Sequence, residues 1–139
     1  MSLSRLVALA ICTWLSLTVI AAPTKPLDPR ALNWVLPVHS ARLTPGAVPP
    51  RKLDLPGITP LFLVGQDATS LAWLAQHAQA LQDLGASGLA VEVADAQALR
   101  RIQATAPGLN IWPVSGDDIA ERLELEYYPV LITPTGLEQ

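Results

Sequence analysis

The residues best suited to chemistry are four carboxylates close together, Asp117, Asp118, Glu121 and Glu124. At helical spacing Asp117 shares a face with Glu121 and with Glu124, as a paired-carboxylate acid/base centre would require. Acids at the start of a short helix also do a simpler job, because they sit at the positive end of its dipole. No nucleophile or metal set accompanies them, so the cluster reads as helix electrostatics rather than a hydrolase. The two histidines, His39 in a proline-rich stretch and His77 on the flank of a predicted helix, have no cysteine or carboxylate cluster at ligand spacing. A zinc site is not expected. No G-x-S-x-G elbow, Walker loop or G-x-G-x-x-G run occurs. The chain therefore reads as a non-enzyme, with no catalytic, cofactor-binding or metal-binding residue and no cofactor.

A last polar cluster is Gly65-Gln66-Asp67-Ala68-Thr69-Ser70, at a predicted strand-to-helix junction. A helix N-terminus lowers the pKa of a thiol, so such a junction is a natural seat for reactive cysteines. This one has no sulfur. The sole cysteine, Cys12, lies in an N-terminal stretch with the three regions of a secretory signal: Arg5, the uncharged run Leu6 to Ile20, and the small residues Ala21 and Ala22. Residues 1–21 are expected to be a signal peptide cut after Ala21; the alternative is an uncleaved anchor. The mature chain then has no thiol, no membrane segment and a periplasmic address. Loss of Arg5 leaves eight basic against twelve acidic residues, net −4, where the full chain has −3. Such a balance disfavours nucleic acid as a partner.

Position of the junction depends on the elements around it. Residues 22–60 carry nine of the 13 prolines, which forbid a long helix and favour extended segments. This is a linker or a wrapping arm, whose Leu32-Asn33-Trp34-Val35-Leu36-Pro37-Val38 strip either occupies a partner's groove or folds back on its own domain. Arg42 to Gly46 reads as a turn.

Residues 61–139 read as the compact domain. Leu61 to Val64 is a short apolar run ended by Gly65, as in a strand buried on both faces. Asp67 caps a helix carrying Leu71, Leu74, Ala75, Ala78 and Leu81 and stopped by Gly85. Leu89 to Val93 is a second strand, Asp95 opens a second helix to Pro107-Gly108, and Leu109 to Val114 is a third strand with Pro113 marking an edge or end. Ser115-Gly116-Asp117-Asp118 opens a third helix reaching Leu125. Pro129 starts the last strand, Val130 to Thr133, which ends in the turn Pro134-Thr135-Gly136. The order β-α-β-α-β-α-β gives an α/β fold with a parallel or mixed sheet flanked by helices.

Leu61 to Asp67 leading to Ser70 to Leu74, together with Tyr128-Pro129-Val130-Leu131-Ile132-Thr133-Pro134 and the residues to Gln139, resembles the exported integrating conjugative element proteins of unknown function. The chain is more distantly similar to TrbC-type pilus assembly proteins, which are thioredoxin-like. The resemblance implies a thioredoxin-like fold and a periplasmic accessory of a conjugative type IV secretion system. Its partners would be other periplasmic or envelope proteins of that apparatus. Only Pro129 transfers, onto the proline that in thioredoxin-like folds is cis and faces the helix start. The departure is at the end, where a full thioredoxin would continue with a strand and a helix. A second reading is a degenerate thioredoxin-like chaperone, or a partner of a thiol-disulfide isomerase, that binds extended polypeptides. The Tyr128–Pro129 bond is expected to be cis, Tyr128 to lie beside Asp67, and the backbone before Pro129 to accept a partner strand. Asp67, Trp112, Tyr128 and Pro129 are the candidate protein-binding residues.

Overall fold

The computed structural model describes residues 28–139. The export signal read in residues 1–21, and Cys12 with it, lies outside the described residues. The proline-rich stretch enters as two 3-10 turns, Pro29–Ala31 and Asn33–Val35, the first capped by the Asp28 carboxylate accepting the Arg30 N–H at 2.9 Å. Two short strands follow, β1 (Thr44–Pro45) and β2 (Arg51–Lys52). Prolines confine these strands to two residues each but do not keep the stretch off the domain: Val38, Leu43 and Val48 are all buried. Of the two readings of residues 22–60, the described part is a wrapping arm. Residues of this stretch thus share the buried core with residues 61–139.

Strand β3 (Leu61–Gly65) is buried from Phe62 to Gly65, the consequence of an apolar run covered on both faces. Helix α1 (Ala68–Asp83) starts at Asp67, whose carboxylate accepts the Ser70 N–H at 2.9 Å, and ends in a Schellman turn. Gly85, at φ 66°, makes the left-handed step, with Gly85 N–H on Gln82 O and Ala86 N–H on Leu81 O. Next come β4 (Ser87–Glu92), α2 (Ala96–Thr105) capped by Asp95, β5 (Ile111–Pro113) and α3 (Asp117–Leu123). The third helix stops two residues short of Leu125, because Glu124 adopts the left-handed conformation at φ 54° and closes the same kind of turn. Strands β6 (Tyr127–Tyr128), β7 (Val130–Thr133) and β8 (Gly136–Glu138) complete the chain. The turn after β7 thus leads into a further strand that the sequence reading ended as a turn.

The main sheet has the order β2-β8-β7-β3-β4-β5, with β3, β4 and β5 parallel and β7, β8 and β2 antiparallel to their neighbours. From β3 to β7 this is the thioredoxin-like alternation of strand and helix in a mixed sheet. Helices α1 and α2 cover one face with Trp73, Leu74, Leu81, Leu99 and Ile102. Helix α3 and the arm cover the other through Ala120, Leu43 and Val48. The arm is fastened across the whole sheet: Val38 pairs with Val93, β1 with β6 in parallel, and β2 with β8.

Candidate functional site

The junction between β3 and α1 faces Pro129, and most of its polar groups are bonded within the fold. The Gly65 N–H donates to Ser70 Oγ at 3.0 Å, and Ser70 is wholly buried. Asp67 spends one carboxylate oxygen on the helix cap; the other, Oδ1, is buried without a partner among the described residues. Gln66 bridges to the next loop, its Oε1 accepting the Ala94 N–H at 2.8 Å. These bonds tie β3, the start of α1 and the loop after β4 together.

Tyr128 lies where the sequence places it, against Gly65 and Asp67. A Cβ built on Gly65 would stand 2.5 Å from the Tyr128 ring and 2.9 Å from Asp67 Oδ1, so only glycine fits. Burial, then the negative charges of Asp67 and Glu92, push the Tyr128 phenol up to about 12. The Tyr128–Pro129 bond is cis, as is Leu36–Pro37.

Three of the expectations for this site need correction. Tyr128 is 2% exposed under the arm and presents no apolar surface to a partner; Pro129, almost wholly buried, only edges the wall of a groove along α1. Trp112 sits on β5, separated from β7 by β3 and β4, and cannot join Asp67 and Tyr128 in one surface. The backbone before Pro129 is also taken. The Thr44 N–H donates to Glu126 O at 3.1 Å and the Gly46 N–H to Tyr128 O at 3.0 Å. Gln139 locks the same corner: its Nε2 donates to Gly46 O at 2.8 Å and Pro129 O at 2.9 Å, while Oε1 accepts the Val48 N–H at 3.1 Å. The strand-addition position is filled by the chain's own arm.

What stays open is a groove of about 860 Å³ along the first turns of α1, lined by Ala68, Thr69, Ala72, Trp73, Gln76 and His77, with Pro129 and the arm residues Pro45 to Ala47 at its other wall. Trp73 packs against His77 with ring centroids 4.8 Å apart and the planes tilted by 33°, and His77 Nδ1–H donates to Trp73 O at 2.8 Å. Its lining has no Asp, Glu, Lys or Arg to fix a small ion.

Other constellations link the arm to the body. His39 donates from Nδ1 to Glu92 at 2.8 Å, and the same carboxylate accepts the Ser40 N–H at 3.2 Å. The buried Ser40 Oγ donates to Val91 O and accepts the Gly116 N–H at 2.9 Å. Asp117 accepts the N–H groups of Ala41 at 3.2 Å and Arg42 at 2.9 Å; the Arg42 bond leads in holding its carboxyl below the ordinary 3.8. Both Asp117 oxygens thus bind the backbone of the arm. Among the described residues no three His, Cys, Asp or Glu side chains converge as a metal site would require, and no helix is long and apolar enough to cross a membrane.

No curated protein and no solved structure matches the chain. A family model does, over residues 13–137, nearly its whole length. The chain belongs to the family of proteins of unknown function DUF2859.

Proposed function

We propose that this protein is an exported, non-enzymatic accessory of a conjugative type IV secretion system, working in the periplasm through contact with other envelope proteins of that apparatus. The resemblance of the Leu61 to Leu74 and Tyr128 to Gln139 segments to integrating conjugative element proteins supports the setting. One observation carries the mode of action: the α1 groove, open, without Asp, Glu, Lys or Arg in its lining, and lined by small, amide and aromatic groups. Such a lining suits a polypeptide segment, which brings its own backbone donors and acceptors. The chaperone reading, which needs free backbone at Tyr128, is weakened because the arm already pairs there.

A photo-crosslinking residue at the exposed Gln76, in cells carrying the intact element, should label one identified envelope component of the apparatus, and deletion of the gene should lower conjugal transfer. Unchanged transfer after deletion would sink the proposal.

A further inference from the structure

The two faces of the sheet differ in charge and in shape. On the α1/α2 side, Arg30 of the first turn and Arg100 of α2 flank one cleft, with Arg101 beside them on the helix. Ion pairs among the described residues join His39 to Glu92, Arg42 to Glu121 and Arg122 to Asp118, and none of these three arginines takes part. Trp34, four residues after Arg30, is 79% exposed, although its neighbours Val35 and Leu36 pack against the core on this side. A large indole is thus held in water by an anchored backbone, four residues along the chain from Arg30. Tryptophan and arginine are the side chains that most often carry interface energy.

The α3 side offers the counterpart. A pocket of about 320 Å³ is walled by Val48, Pro50, Leu125, Tyr127 and Leu137, with Glu124 and Glu126 on its rim. Neither glutamate is ion-paired among the described residues. Arg51 also lines the pocket, but its guanidinium donates to the Leu123 carbonyl. The α1/α2 side therefore carries an exposed indole and cations without an ion-pair partner among the described residues, and the other side an apolar socket with such unpaired anions at its rim.

We propose that Trp34 of one copy docks into the Val48, Leu125 and Leu137 pocket of a second copy, with Arg30 and Arg100 meeting Glu124 and Glu126. The two patches lie on opposite faces of the sheet, so the contact is heterologous. Each docked copy leaves its own socket free, and the assembly grows head to tail into rings or filaments rather than stopping at a two-fold dimer. Complementary charge sets the register and speeds encounter, so salt weakens the association.

Sedimentation velocity of the purified protein over a concentration series, at low and high ionic strength, tests this. The expected result is a mass that climbs past the dimer with concentration at low salt and falls back at high salt. Trp34→Ala, at an exposed position, should weaken association at least about tenfold without altering the circular dichroism spectrum. The pairs Arg30→Glu/Arg100→Glu and Glu124→Lys/Glu126→Lys should each fail to assemble alone and should associate when mixed. A species that is monomeric at every concentration, a dimer that grows no further, or association indifferent to Trp34→Ala would overturn it. So would charge-reversed pairs that stay apart on mixing.

Discussion

Gly46 donates its backbone N–H to the carbonyl of Tyr128 at 3.0 Å, so a residue of the proline-rich arm occupies the place where an incoming peptide would pair before Pro129. Leu43 and Val48, on either side of it, are buried against Leu63, Val91 and Val130. The arm contributes to the core as well as to the sheet.

Leu43→Ala should therefore lower stability by about 2–5 kcal/mol, the range for emptying a packed leucine site. Urea unfolding measures it. A loss within roughly 0.5 kcal/mol, the effect of a surface change, would mean that the arm is a loosely held linker.

Gly65→Ala tests the contact between Tyr128 and the helix start. The added methyl group has to displace a buried ring and the capping carboxylate at once, an overpacking cost of about 1–3 kcal/mol. Equal urea midpoints for the two proteins would show that the ring yields freely.

Two exposed groups give stability an opposite pH dependence at its two ends. His39 is raised above 6.5, first by its hydrogen bond to Glu92 and then by that carboxylate's charge; its contribution is complete below pH 6.5 and is lost as pH rises through the folded value. Asp117 is held below 3.8; its contribution is present above pH 3.8 and is lost as pH falls through the folded value. His39→Gln should flatten the slope just above pH 6.5, and Asp117→Asn the slope below pH 3.8. Urea midpoints followed across pH that superimpose for the variants and the parent would refute both assignments.

Tyr128 should ionise last. Its phenol is raised from 10 to about 12, so the folded state loses stability as pH climbs from about 10 through that value, the unfolded chain giving up its proton first. Spectrophotometric titration should show a tyrosinate step near pH 12 that disappears in Tyr128→Phe. A parent protein without that late step would contradict the burial described.

The central part of the fold was legible because its signals are local. Leu61 to Gly65 is a continuous apolar run, and Asp67 and Gly85 bound α1 with a cap and a left-handed stop that need only their immediate neighbours. The arm was opaque because Val38, Leu43 and Val48 follow neither a helical nor a strand period, and the residues it pairs with, Val93 for Val38 and Tyr127 and Tyr128 for Thr44 and Pro45, lie more than fifty residues away. For the site, proximity of Asp67, Tyr128 and Pro129 followed from the strand-to-helix junction and the proline. Their enclosure did not, since the covering residues Thr44, Gly46 and Gln139 carry no sign of it in their types. Trp112 was misplaced because an aromatic residue near a proline says nothing about which end of the sheet its strand occupies.

The parallel pairing of Thr44–Pro45 with Tyr127–Tyr128, and of Arg51–Lys52 with the last strand, imposes an order on biosynthesis. The segment that leaves the ribosome early is among the last to find its place, because its partners are made some eighty residues later. Until then Leu43 and Val48 are unprotected apolar residues, a state that invites a holding chaperone and exposes the chain to proteases. Ribosome-bound chains ending at residue 125 should be cut readily between residues 40 and 55, whereas the released chain resists.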